Sequence, residues 1–211
     1  MSNWIFNRSG LCALTCFGAL ALSSVAQADS VVEQIELGLE HYAAQDYANA
    51  INELEFAIAD IRKLMSGQIA STFPDAPAGW TAEDADTSAG GGAAAMFGGA
   101  MSIIQRKYAE ESGRGRLEAS LMTDNPMVQG MAAMFSNPAM IAAQPNLERV
   151  RIGRESAIVK WEENRSRAEV TMLLDGRILL QVKGQQLDSP DVAVDLLRAW
   201  DLDAVRAQTA R

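Results

Sequence analysis

Methionine is the residue type with the most unusual placement. The chain holds ten, and seven of them, Met96, Met101, Met122, Met127, Met131, Met134 and Met140, fall within 96–140. Asn125-Pro126 reads as the N-cap and first helical position of a helix over about 126–136, which Asn137-Pro138 stops. On that helix Met127, Met131 and Met134 stand at i, i+4 and i+7, hence on one face, and Phe135 extends the stripe. Thioether side chains can do three things here. They fill irregular core gaps. They line an adaptable groove or lid, formed by Met96, Phe97, Met101, Met127, Met131, Met134 and Phe135, for a partner protein or a lipid-like ligand. Or Met127, Met131 and Met134 hold a soft ion such as Cu(I).

Other chemistry is limited by inventory. His41 is the one histidine, and Cys12 and Cys16 are the two cysteines. His41 falls on a helical stretch, with no nucleophile-elbow motif in the chain to pair with it. The glycines at 90–92 and 98–99 lack the Lys-Ser/Thr that follows a phosphate-cradling loop. Asp84/Asp86 and Asp201/Asp203 lack the further ligands and glycine turn of a calcium loop, and Glu162-Glu163 reads as a solvated corner. No catalytic residue, metal site or cofactor is expected, and the function expected is binding rather than catalysis. A carboxylate-dependent hydrolase built from scattered acids is the enzymatic alternative.

The elements that would position these residues begin after an export signal. Arg8 is the first charge, Leu11–Leu22 is an almost unbroken apolar run, and Ala26-Gln27-Ala28 supplies a small-x-small cleavage site. The run is too short to span a bilayer. Cleavage is expected after Ala28, which removes both cysteines and leaves a periplasmic chain without disulfides. The 211 residues carry 27 acids against 18 Lys and Arg, a net charge of −9. Such a balance argues against nucleic acid and anionic membrane surfaces as partners.

Residues 29–66 read as a helical hairpin. Val32, Ile35, Leu39 and Tyr42, then Tyr47, Ile51, Leu54, Ile58, Ile61 and Met65, recur at steps of three and four, which predicts one buried face per helix. Asp46 is the expected cap of the second helix. Leu37-Gly38, Asp46-Tyr47, Ala50-Ile51 and Ala57-Ile58 fall at the offsets of a tetratricopeptide repeat, which the hairpin resembles over about 30 residues. His41 departs from it by standing where that repeat carries Tyr. Because repeat arrays need several copies to cover their faces, a single copy must pack on the rest of the chain or on a partner.

Residues 67–101 read as a Pro- and Gly-rich connector with Trp80 as an anchor, and its glycine-rich end reads either as a loop lying against the domain or as a lid over an apolar pocket. From 102 to 205 the pattern is period two: Ile103–Ala109, Arg116–Met122, Leu147–Ile152, Ser156–Glu162, Arg167–Leu174 and Arg177–Lys183, with Asp175-Gly176 as a hairpin turn. Ser189-Pro190 opens an amphipathic helix to about 200, with Val192, Leu196, Leu197 and Trp200 on its apolar stripe. The fold class is therefore α+β: a helical hairpin, then an antiparallel sheet of five or six strands covered by helices. Pro77-x-Gly79-Trp80 and the closing helix resemble the PsbP-type fold across about 74–200. The whole also resembles small exported proteobacterial proteins, which implies a binding or assembly role. Arg149, Arg151, Arg154, Lys160, Arg165 and Arg167 interleave with Glu148, Glu155, Glu162, Glu163 and Glu169, as paired charges on a wet sheet face would.

Overall fold

The computed structural model describes residues 22–87, 102–123, 128, 130, 132, 141, 144 and 146–210. The chain divides into two compact units, Met1–Ile61 and Arg62–Arg211. In the first, α1 (Leu22–Ala43) turns into α2 (Tyr47–Ala70), which continues into the second unit. The turn follows from local chemistry. Gln45 takes a left-handed φ of 62°, and the Asp46 N–H donates to the His41 carbonyl at 2.9 Å, closing the end of α1. Asp46 then caps α2, accepting from the Asn49 side-chain amide at 2.7 Å and from its backbone N–H at 3.4 Å. Those hydrogen bonds hold its carboxyl below the usual carboxylate range.

The second unit is an antiparallel sheet with the C-terminal helices on one face. Its strands are β1 (Trp80–Ala82), β2 (Ser102–Glu110), β3 (Arg116–Thr123), β4 (Leu147–Ile152), β5 (Glu155–Glu162), β6 (Arg167–Leu174) and β7 (Ile178–Gln185). They lie in the order β1-β2-β3-β7-β6-β5-β4. Seven strands exceed the five or six expected. The addition is β1, which lies inside the expected connector and pairs with Tyr108–Glu110 of β2; three residues are too few to read as a strand. The β6–β7 turn is as expected: Asp175 and Gly176 take φ of 52° and 69°, the pair of positive values a two-residue hairpin needs.

Register sorts the side chains onto two faces. Ile104, Leu121, Leu180, Met172 and Ala157 form one cross-strand row, and Ala119, Val182, Val170 and Val159 belong to the next. All are buried, in one cluster with Ile69, Phe73, Leu196, Leu197, Trp200 and Val205. Each fully buried Leu or Ile contributes roughly 1.5–3 kcal/mol relative to exposure. Trp200 closes this core against Phe73, ring centroids 4.5 Å apart, and its Nε1–H donates to Thr72 Oγ1 at 3.4 Å. Tyr108 donates its hydroxyl to the Pro74 carbonyl at 2.8 Å, and burial pushes its pKa up to about 12.

Two helices stand where one was expected: α3 (Asp191–Arg198) and α4 (Leu202–Gln208). Asp201 separates them by capping α4, accepting from the N–H groups of Asp203 and Ala204 at 3.1 and 2.9 Å. Ser189 stands one position further out than expected, because Pro190 is the N-cap of α3. Its Oγ still accepts from Asp191 N–H at 3.3 Å. Arg206 ties α4 down, with Nη2 2.5 Å from Glu155 and Nε 3.1 Å from Asp175.

Candidate functional site

The seven residues of the expected groove, Met96, Phe97, Met101, Met127, Met131, Met134 and Phe135, lie outside the described residues. Their neighbours Val128, Gly130, Ala132 and Ile141 are helical, and Val128 and Ile141 are buried. Val128 packs with Met122 and Leu179 on the sheet face opposite the helices, against Ile103 and Leu173. Further along that face the side chains turn polar, then charged. Lys107, Glu118, Lys183, Glu169 and Lys160 face one another across five adjacent strands, opposite signs side by side. Lys160 reaches Glu162 at 2.7 Å, Arg165 reaches the same carboxylate at 3.3 Å, and Gln181 donates to Glu169 at 2.7 Å. The pairing with Glu162 raises the Lys160 pKa and lowers that of Glu162. Such alternation on a wet face satisfies itself. His41, half-buried, sits with Nδ1 3.7 Å from Asp46 Oδ2 at the hairpin turn. Among the described residues no three of His, Cys, Asp and Glu gather as an ion would need.

The helical hairpin is different. Eleven large apolar side chains are exposed among the described residues, and all fall between Val32 and Met65. They include the stripes expected to be the buried faces: Val32 is 54% exposed, Leu39 61%, Tyr42 63%, Tyr47 54%, Ile51 56% and Ile58 45%. That expectation is overturned, and the reason lies in which residues close the hairpin. Val31 and Gly38 on α1, and Ala50 and Ala57 on α2, are buried, each pair seven residues apart. These are mostly small residues, so the helices approach closely. A Cβ on Gly38 would stand 3.0 Å from Leu54 Cγ and 3.5 Å from the Ala50 carbonyl. Large side chains cannot enter a seam this narrow, so they line its edge.

The spacing of the exposed residues is informative. On α2, Tyr47, Ile51, Leu54, Ile58 and Ile61 follow steps of four and three without a break, and Met65 continues the series along the helix. On α1, Val32, Leu39 and Tyr42, with the half-buried Ile35, do the same, while Leu37 and Phe56 are exposed off the stripes. This is the a/d repeat that a helix presents to another helix, and the buried small residues occupy the position just before each a. Because the helices run antiparallel with those small positions facing, both stripes emerge on one side of the hairpin. Two contacts agree with this: Tyr42 meets Tyr47 edge-on at 5.6 Å, and Leu54 lies over Gly38. On the opposite side Gln34 Nε2 donates to Asp60 at 3.4 Å. The hairpin thus presents a two-helix apolar face that is uncovered among the described residues.

No helix among the described residues is long and apolar enough to cross a membrane. Neither a protein-family model, nor a curated protein, nor a solved structure matches this chain.

Proposed function

We propose that the protein is an exported, non-enzymatic binding or accessory protein that docks a partner protein through the open face of its helical hairpin. The observation that carries this reading is the unbroken a/d series from Tyr47 to Ile61 beside that of α1, left uncovered among the described residues. Half-exposed side chains of this size present on the order of 100 Å² each, so the hairpin offers on the order of 1,000 Å², against roughly 800 Å² per partner in a stable interface. Contiguous apolar surface on this scale marks an interaction site. A hairpin resembling one tetratricopeptide unit has the same need, since such units cover their faces with neighbours. Export fits the leader read before Asp29.

A photo-crosslinking side chain at Ile58, compared with one at Lys183 on the sheet, tests this in the native cell. A discrete adduct at Ile58, lost in an Ile51→Ser background and absent from Lys183, is expected. Equal labelling at both positions, or none at Ile58, would refute the docking reading.

A further inference from the structure

On the sheet face away from α3 and α4, the alternation of signs from Lys107 to Lys160 stops at the next row. There the register pairs Arg116 of β3 and Arg167 of β6 with the same residue, Gln185 of β7, so the three stand side by side with no acid between them. Lys183, two residues before Gln185 on β7, shares their face, and all four residues are exposed. Among the described residues none of these three cations pairs with a carboxylate. Arg116 Nη1 donates instead to the Gly115 carbonyl at 2.8 Å. The nearby acids are engaged. Glu162, opposite Arg167, takes Lys160 and Arg165. Glu169 accepts from Gln181 Nε2 at 2.7 Å, on the side away from Arg167, and Glu118 lies between Lys107 and Lys183. From β3 across to β4 this face carries Arg116, Lys183, Arg167, Lys160, Arg149 and Arg151 against those three acids, in a chain whose net charge is −9. Glu83 and Asp86 stand on the far side of β2, at the β1 edge.

We propose that Arg116, Gln185 and Arg167, with Lys183, form an oxyanion site that takes a phosphate ester or diphosphate group. Two arginines roughly 10 Å apart across one central strand can turn their forks onto a single anion above Gln185, whose amide supplies a further donor. Lys183 adds a third positive charge, which favours a doubly charged group over a carboxylate. The recess beside Arg167 holds ≈ 240 Å³ and the one beside Arg116 ≈ 280 Å³, and they meet at Lys183 and Gln185. Both fall below the roughly 300–1,000 Å³ that a drug-sized molecule fills, so the group held is small. The outward residues of β2 to β7 include no aromatic ring on which a base or sugar would stack. The site is separate from the hairpin, and neither reading rests on the other.

The test titrates sodium pyrophosphate into the full processed protein, isotopically labelled, with ionic strength held constant by sodium chloride. Nuclear magnetic resonance of the arginine Nε–H and glutamine amide signals is the readout. Saturable shifts centred on Arg116, Arg167 and Gln185 are expected, with acetate at least about tenfold weaker. An Arg116→Gln/Arg167→Gln variant should weaken pyrophosphate binding about tenfold or more with unchanged circular dichroism. A Lys107→Gln/Lys160→Gln variant removes the same charge from the alternating row and should keep the affinity within about threefold. Equal losses in the two variants mean diffuse attraction by the whole face and overturn the site. So do shifts that never saturate, or that centre away from Gln185. Should the arginine variant fail to fold, Gln185→Glu puts a negative charge in the middle of the row and should abolish the shifts; binding that survives it overturns the proposal. A second arm sediments the protein with phosphatidylglycerol vesicles. Vesicle binding that pyrophosphate displaces and the arginine variant loses places the phosphate on a lipid headgroup. Vesicle binding that is absent, or that the arginine variant keeps, leaves a soluble phosphorylated ligand as its source.

Discussion

The hairpin turns on the absence of one side chain. At Gly38 a Cβ would crowd Leu54 and come close to the Ala50 carbonyl, so at this point the helices sit at a separation that suits glycine. Ala50 and Ala57, 3% and 2% exposed, repeat the condition on the facing helix. A Gly38→Val substitution should therefore push the helices apart, at a cost of about 1–3 kcal/mol for overpacking. Thermal unfolding followed by circular dichroism would check it, with a lowered midpoint expected. An unchanged midpoint would mean that this seam does not hold the hairpin. The same logic explains why the large residues are outside: Gly38, Ala50, Ala57 and Val31 fill the line where the helices touch.

At the level of elements, caps decide where helices begin and stop. The closing segment breaks into α3 and α4 because Asp201 turns its carboxylate onto the N–H groups of Asp203 and Ala204. This also gives the Asp201/Asp203 pair a purpose that is neither metal nor catalysis. Asp201→Ala should cost about 0.5–2 kcal/mol by leaving those donors without their acceptor. The effect should appear as faster amide exchange in α4 and a modest fall in the sheet unit's melting temperature. Arg206, which joins α4 to Glu155 and Asp175, should limit the loss to that range. Exchange in α4 matching the parent protein would show that the cap contributes little.

Across the whole molecule, charge and apolar surface oppose one another. The net charge is −9 and the isoelectric point is near 4.7, while a broad apolar face lies open on the hairpin. Repulsion between chains should keep such a face from pairing with itself at neutral pH. As the pH falls towards 4.7 that repulsion disappears. Sedimentation should then show a monomer at pH 7 and reversible association near the isoelectric point, reduced in the Ile51→Ser/Ile58→Ser variant. Association that is indifferent to those substitutions would place the adhesive surface elsewhere. This behaviour belongs to the chain as a whole, since it depends on total charge as much as on the face.

Much of the architecture was legible in residue spacing, because spacing is what local geometry reads. Period-two runs gave the six longer strands, Asp175-Gly176 gave their clearest turn, and Asp46 announced the cap of α2. The α+β class followed from the order of those elements. The residues of the exposed hairpin face were legible too, but their environment was not. A stripe recurring every three and four residues looks the same in sequence whether it is covered by its own chain or waits for another. Only the packed structure shows that Val31, Gly38, Ala50 and Ala57 close the hairpin and leave the large side chains outside. In the same way β1 exists because β2 offers it an edge, and three residues alone could not signal that. Helix and strand are decided by neighbours along the chain; which apolar surface is satisfied depends on the steric fit between residues far apart in it.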